Sequence, residues 1–587
     1  MRSDDNDFTL RPGKIGNRGG GQPKSFFNEV MKEITKQSGG KPVSSQRMTR
    51  LTPGRSSFGK GRNAYGRSLF SPSSRRVSVK ARVVRHHGKT LRSAPLTKHI
   101  SYLKREGVTK DNDRAILFDA GGDQASEAAF AERCADDRHH FRFIISPEDA
   151  AKMEDLRGFT RDLAAQMETD LGTKLDWVAI DHWNTDNPHI HFLVRGIDDR
   201  GEDLVISRDY ISRGLRSRAE DLATIELGIK PEQEIHASLE REATADRWTS
   251  LDREIMSHAD DTGFINLRPI TPGPDDSFMR RQMIRRLQYL ESMGLATTDG
   301  SGLWRMSIEA ESRLRDLGLR GDIIKTMHRT LTEKGLNRAF DDFVINPSDQ
   351  RSAIIGRLVS TGLHDELSGE AYAIIDGVDG RAHHVRFKDL DAFDHAPPFG
   401  GIVEVRWFGS INDPKPTLVL ANRSDLDITL QVTAPGATWL DHRLVERAPM
   451  SLSSSGFGQE VRQAMHQRAN NLIEIRLAYR EGERVRFRKD LLTTLRNQEL
   501  ETVGTSIAQQ RGMTFNATAP GSSVSGTFRE TLRLSSGRFA LLDDGLGFRL
   551  VPWSSSLEKH KDQQISGIAR SDGGIDWRRE RERGLGR

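Results

Sequence analysis

Apolar and polar positions begin to alternate at Val77: Val77, Val79, Ala81 and Val83 are apolar, and Ser78, Lys80 and Arg82 lie between them. A period of two predicts a β-strand with a basic outer face. Beyond His86-His87-Gly88 the spacing becomes helical. Ser93 can cap and Pro95 fits a first turn, and Leu96, Ile100 and Leu103 then form one stripe. At about 100° per residue Tyr102 falls off that stripe, near Lys98 and Arg105. Residues 139–146 predict a second strand, closed by the helix-start signal Pro147-Glu148-Asp149. An amphipathic helix over 148–170 carries Met153, Leu156, Phe159, Leu163 and Met167. Strands over 175–181 and 189–195 and a helix over 207–227 complete the series. This order predicts an α+β domain, an antiparallel sheet with helices on one face.

Further along, 279–293 reads as a basic amphipathic helix, followed by Gly294-Leu295 and a short strand over 303–307. Two more helices follow, the second running through Asp322-Ile323-Ile324-Lys325. Helix, turn and wing suggest a winged-helix-like unit, suited equally to DNA and to protein packing. Residues 352–424 read as short strands (371–376, 384–387, 402–408, 417–420) of a small β domain. Residues 425–503 are mainly helical and 524–570 return to strands. No fixed-period repeat is visible. The expected domains are a basic disordered arm (1–76), a first folded domain (77–228), a helical winged-helix-like domain (229–345), a small β domain (346–424) and a mixed α/β domain with a basic tail (425–587).

Charge sharpens this division. Residues 1–76 hold 16 Lys/Arg against 5 Asp/Glu, which is +11, while the whole chain carries +5. Positive charge gathered at one end suits a phosphate-neutralising arm or a solubilising tail. A single cysteine, Cys134, excludes a disulfide framework and a cysteine-based zinc cluster and suits a reducing compartment. No apolar run approaches the roughly 18 residues of a membrane span, and no secretory-signal pattern opens the chain. The expectation is a soluble intracellular protein.

The candidate chemistry lies in D-H-W-N-T-D-N-P-H-I-H-F-L-V-R-G, residues 181–196. In a strand, His189 and His191 share one face and Ile190 takes the other. His182, returned by the intervening turn, supplies a third imidazole. Three such ligands with open positions suit a catalytic divalent metal; satisfied core histidines are the plainer alternative. A tyrosine flanked by cations, as Tyr102 is, is placed to meet a phosphate, although an ordinary surface tyrosine fits the same pattern.

Three stretches together carry a resemblance. H-W-N-T-D-N-P-H-I-H-F-L-V resembles the third motif of conjugative relaxases of the P mobilisation class, the histidine–hydrophobic–histidine endonucleases that include the T-DNA border endonuclease. H-I-S-Y-L-K-R-E-G is similar to their first motif and F-I-I-S-P-E to their second. The order of motifs is that of the family, and the likeness covers about 77–228. It implies Tyr102 as nucleophile, Ser146 as a substrate contact, His182, His189 and His191 as ligands of Mg²⁺ or Mn²⁺, and Asp186 as an acidic helper. Asn184 stands where relatives often carry an acid. The remainder, including F-G-Q-E-V-R from 457 and D-D-G-L-G-F-R-L-V-P-W at 543–553, resembles a C-terminal extension of some bacterial relaxases.

The implied activity is site- and strand-specific nicking of single-stranded or supercoiled DNA at a transfer origin, through a 5′-phosphotyrosyl intermediate. The implied partners are accessory relaxosome proteins and a type IV coupling protein. The implied location is the bacterial cytoplasm, with passage alongside the DNA. Competing readings are a rolling-circle replication initiator using Tyr210, a non-catalytic DNA-binding regulator, and a histidine-triad hydrolase. The last needs a third alternating histidine, where Leu193 stands.

Overall fold

The computed structural model describes residues 60, 74–86, 94–105, 108–111, 113–183, 187–260, 263–268, 276–300, 302–345, 353–408, 417–570 and 573–577. Asn184, Asp186, the basic tail from 578, and the basic arm apart from Lys60 and residues 74–76 lie outside them. The chain forms two compact units, Met1–His236 and Ala237–Arg587.

The first unit is built on four antiparallel strands: β1 (Val77–Arg85), β2 (His139–Pro147), β3 (Trp177–His182) and β4 (His189–Arg195), in the order β1-β2-β4-β3. The helices are α1 (Ala94–Leu103), α2 (Glu127–Arg133), α3 (Leu156–Leu171) and α4 (Leu215–Leu227). They cover both faces of the sheet, not one. Phe159, Leu163 and Met167 of α3 and Leu215 and Ala219 of α4 pack on Ala179, Ile190 and Phe192. On the other face, Leu96, Ile100 and Leu103 of α1 and Phe130 of α2 pack on Val178, Ile180 and Leu193. The reason is legible in β3, whose residues are buried at every position and so require a cover on each side.

Two local expectations shift. Helix α3 begins at Leu156, because the Asp155 carboxylate accepts the amides of Arg157 and Gly158 as an N-cap, and residues 150–152 form a separate 3₁₀ turn. Helix α2 had no counterpart in the periodicity; its signal is Ser126, whose hydroxyl accepts the Ala129 amide. From the basic segment, Lys60 pairs with Asp198 at 2.7 Å, and buried Arg75 bridges Asp149 and Glu234 at 2.9 Å each.

The chain enters the second unit within α5 (Glu232–Ala243). There α6 (Ser250–Ser257), β5 (Phe264–Asn266), α7 (Asp276–Ser292) and the hairpin β6 (Ala296–Thr298)–β7 (Leu303–Met306) give the expected helix-and-wing arrangement, with sheet order β5-β7-β6. The two helices expected next are one, α8 (Ala310–Glu333). Its Ile323, Met327 and Leu331 pack on the sheet of β8 (Phe343–Ile345), β9 (Ile354–Asp365), β10 (Glu370–Gly377), β11 (Ala382–Phe387), β12 (Ile402–Phe408) and β13 (Thr417–Ser424).

This series is then built a second time. Helices α9 (Trp439–Leu444) and α10 (Gly456–Glu474), the hairpin β14 (Ala478–Glu481)–β15 (Arg484–Phe487) and α11 (Leu491–Arg511) precede another sheet. Its strands are β16 (Thr514–Phe515), β17 (Ser523–Leu534), β18 (Gly537–Asp543), β19 (Gly547–Pro552), β20 (Gln564–Ala569) and β21 (Ile575–Trp577). The first sheet runs β13-β12-β9-β10-β11-β8, and the second, from its far edge, β21-β20-β17-β18-β19-β16. In each, the short first strand lies parallel to the fourth, β8 to β11 and β16 to β19.

The buried chemistry repeats too. Thr249 and Asp252 form a capping box, as do Thr438 and Asp441. Arg286 donates through Nε to Asp252 at 2.7 Å and to the carbonyls of Ala245 and Arg247. Arg468 donates through Nε to Asp441 at 2.8 Å and to the carbonyls of Ala434 and Gly436. Both arginines are fully buried.

Candidate metal centre and nucleophile helix

The pleat of β4 sends Ile190 and Phe192 into the core under α3 and α4, leaving His189 and His191 on the opposite face. Strand β3 pairs with it in register, His182 opposite His189 and Ile180 opposite His191, so His182 joins the same face. The hairpin therefore gathers all three imidazoles. His191 Nε2 lies 3.2 Å from His189 Nε2 and 3.1 Å from His182 Nδ1. All three rings are buried, with exposures of 0% for His182, 8% for His189 and 2% for His191.

Backbone carbonyls fix the ring orientation. His182 Nε2 donates to the Leu103 carbonyl at 2.8 Å and His189 Nδ1 donates to the Asn187 carbonyl at 3.0 Å. In the neutral tautomers these bonds select, His182 Nδ1 and His189 Nε2 carry lone pairs directed at His191 Nε2. One proton on His191 can serve only one of them. A cation at that point satisfies the set, and the three histidines form a group able to hold a metal ion.

Helix α1 meets this centre at its C-terminal end. Leu103, whose carbonyl receives His182, directly follows Tyr102. The Trp183 amide also donates to the Val108 carbonyl at 2.6 Å, a second tie between β3 and the segment after α1. Tyr102 is half-buried against the cluster that joins α1 to this sheet face, and the Arg105 guanidinium lies 4.4 Å from its ring centroid. Ser146, at the end of β2, donates from Oγ to the Pro188 carbonyl at 3.2 Å, one residue before His189. The turn that carries Asp186 lies outside the described residues.

Tyr210 is placed differently. It belongs to the core on the other face of the sheet, is fully buried, and its hydroxyl donates to Asp170 at 3.0 Å. Burial, with the Asp170 carboxylate beside it, holds its phenol well above the usual tyrosine range. Added space is absent there as well: a Cβ on Gly214 would stand 2.6 Å from the Tyr210 ring.

Sequence reasoning passed over Asp181, a buried carboxylate that accepts from Trp183 Nε1 at 2.7 Å and from Arg157 Nε at 3.0 Å. It anchors the strand end beside His182. No spacing rule marked it, because Arg157 comes from a separate helix. The carbonyls of Leu103 and Asn187 were invisible for a simpler reason: every residue has one.

An antiparallel sheet carrying three convergent histidines beside a tyrosine helix defines the class. Residues 118–221 match the MobA/VirD2-like relaxase nuclease domain, so this unit is a relaxase-type, DNA-nicking mobilisation nuclease with a long C-terminal extension. Residues 283–417 and 415–586 match the family described as protein of unknown function (DUF3363), and over half the chain belongs to that match; the chain is a member of this family. No curated protein and no solved structure matches it. Among the described residues no helix is long and apolar enough to cross a membrane.

Proposed function

We propose that the chain nicks one strand of DNA at a transfer origin by transesterification on Tyr102, initiating conjugative transfer. The observation that carries this reading is the bond from His182 to the Leu103 carbonyl, which ties the metal-ligand set to the residue beside the tyrosine. The Tyr102 oxygen attacks the scissile phosphorus and the bond to the 3′ oxygen breaks. The products are a 5′-phosphotyrosyl link and a free 3′-hydroxyl. The phenolic proton leaves to a base, for which Asp186 is the candidate, and a proton is returned to the departing 3′ oxygen. A divalent ion, Mg²⁺ or Mn²⁺, held by His182, His189 and His191 would neutralise charge on the phosphate and stabilise what develops in the transition state.

The chain's own residues do the rest. Ser146 holds the turn before His189 and faces the strand as a substrate contact. Arg105, stacked on the Tyr102 ring, supplies positive charge beside the incoming phosphate. Rejoining is the reverse attack by a 3′-hydroxyl, so the link conserves the energy of the broken bond. Tyr210 does not suit a replication-initiator mechanism, because its hydroxyl is buried on Asp170 behind the sheet. Accessory relaxosome proteins, a coupling protein and a site of action in the bacterial cytoplasm follow from the same reading.

The test is incubation with supercoiled plasmid bearing the protein's own transfer origin and Mg²⁺ or Mn²⁺. Relaxed circles with protein attached to a 5′ end are expected. Intact supercoils with cognate DNA under both metals would overturn the proposal.

A further inference from the structure

The sheet face that bears the histidines continues past them. Register places Ile144 of β2 beside His191 and Arg142 beside Leu193, and pairs Lys80 with Ile144 and Arg82 with Arg142. Directly paired side chains of an antiparallel sheet point the same way. Lys80 and Arg82, both exposed on the edge strand β1, with Arg142 thus extend the histidine face as a basic stripe.

Two arginines directly opposite one another repel, and like charges at such positions destabilise a sheet. Arg142 adds to this by being 5% exposed. Among the described residues no carboxylate pairs with Lys80, Arg82 or Arg142, whereas Arg75, Arg157, Arg195 and Arg218 of the same unit each meet one. The buried guanidinium is instead held by a chain of neutral imidazoles. Arg142 Nε donates to His140 Nε2 at 2.9 Å, His140 Nδ1 to His86 Nε2 at 2.7 Å, and His86 Nδ1 to the Asp137 carbonyl at 2.9 Å. Every hydrogen in this chain has one consistent assignment, with Arg142 as donor. Burial lowers the affinity of both imidazoles for a further proton, and burial together with the Arg82 charge brings Arg142 down to about 10. The chain spends a buried hydrogen-bond relay on holding one arginine against another.

We infer that Arg82, Arg142 and Lys80 form a phosphate subsite that grips the backbone of the single strand next to the scissile position. Two guanidinium forks with no carboxylate suit a phosphodiester, and a bound phosphate converts the cross-strand repulsion into a bridge. This inference rests on the DNA-nicking reading above, and assigns the path by which the strand leaves the metal centre: across β2 to β1.

The test measures binding of fluorescent poly-dT to the full chain carrying Tyr102→Phe, without metal, over a series of salt concentrations. Exposed Arg82 is changed to Gln, which leaves the core untouched; Lys80→Gln is the second variant and Arg138→Gln, 82% exposed at another place, the control. Each of the first two is expected to weaken binding severalfold at low salt and to flatten the salt dependence by about 0.7 in log–log slope, the share of one phosphate contact on single strands. The control should do neither. Unchanged affinity and slope in both variants, with the parent still binding, would sink the subsite alone. Failure of the Tyr102→Phe parent to bind poly-dT, together with failure of the unsubstituted chain to nick plasmid, would remove the underlying reading as well.

Discussion

His182 Nε2 and the Leu103 carbonyl oxygen are 2.8 Å apart, although 79 positions separate the residues in the chain. One bond therefore sets the tautomer of a candidate metal ligand and fixes the end of the helix that carries Tyr102. On the proposed reading, metal loading and nucleophile placement are coupled by this bond. His182→Gln keeps some hydrogen-bonding capacity but removes the imidazole lone pair. It should lower affinity for Mn²⁺ by at least about tenfold, the lower end for disturbed metal sites. Titration calorimetry checks this without reference to turnover, and unchanged Mn²⁺ affinity would remove His182 from the ligand set.

Tyr102 and Tyr210 should separate cleanly. Tyr102→Phe is expected to abolish the covalent DNA adduct while leaving the melting temperature unchanged, because its ring stays packed. Tyr210→Phe should keep the adduct and lose stability, by about 1–2 kcal/mol for a buried hydroxyl bonded to Asp170. Gel analysis of denatured complexes and denaturant unfolding give the two readouts.

The paired locks of the second unit predict matching losses. Arg286→Leu leaves Asp252 buried without its partner, and Arg468→Leu does the same to Asp441. Each should cost about 3–5 kcal/mol, the range for removing one member of a buried ion pair. Similar losses in the two variants would agree with one architecture built twice; a negligible loss in either would contradict its role as a lock.

The buried thiol of Cys134 is pushed up to about 12, mainly by burial. It should resist alkylation at pH 8 in the native protein and react once denaturant is added. The sign of the linkage follows. The folded chain keeps the thiol proton while the unfolded chain loses it above about pH 8.5, so this group removes stability as pH rises from there toward 12. Rapid labelling of the native protein would contradict the burial.

An acid-side prediction comes from His86 and His140, both held below the ordinary histidine range chiefly by burial. The folded state leaves them neutral where the unfolded chain binds protons, below about pH 6.5. Stability should therefore fall as pH drops through that value. His140→Gln should show a shallower fall between pH 7 and pH 5 in thermal melts; an identical slope would exclude the pair as a source of acid sensitivity.

Much of the first unit was legible because its signals are local. Strand β4 coincides with the predicted 189–195, where His189-Ile190-His191 alternates and the apolar run Phe192-Leu193-Val194 continues the strand, and α1 follows the stripe of Leu96, Ile100 and Leu103. The coming together of His182, His189 and His191 was readable from strand period and one short turn. What escaped depends on distant partners: the clamp on Asp181, the carbonyl of Leu103, and the cover on the second face of the sheet.

The doubled architecture of the second unit escaped for another reason. Gly294 and Arg476 occupy corresponding places, two residues past the ends of α7 and α10, and both adopt positive φ, 70° and 63°. Glycine announces such a position, and arginine hides it. The copies share Thr-x-Leu-Asp at 249–252 and 438–441, too short a likeness to stand out without the geometry.

The most direct test of the central claim is mass spectrometry of the protein after reaction with an origin-bearing single strand and Mn²⁺. The account predicts one peptide carrying a 5′-phosphorylated oligonucleotide on Tyr102, absent when Mn²⁺ is chelated before the DNA is added. An adduct on Tyr210, or cleaved DNA with no protein attached, would contradict it.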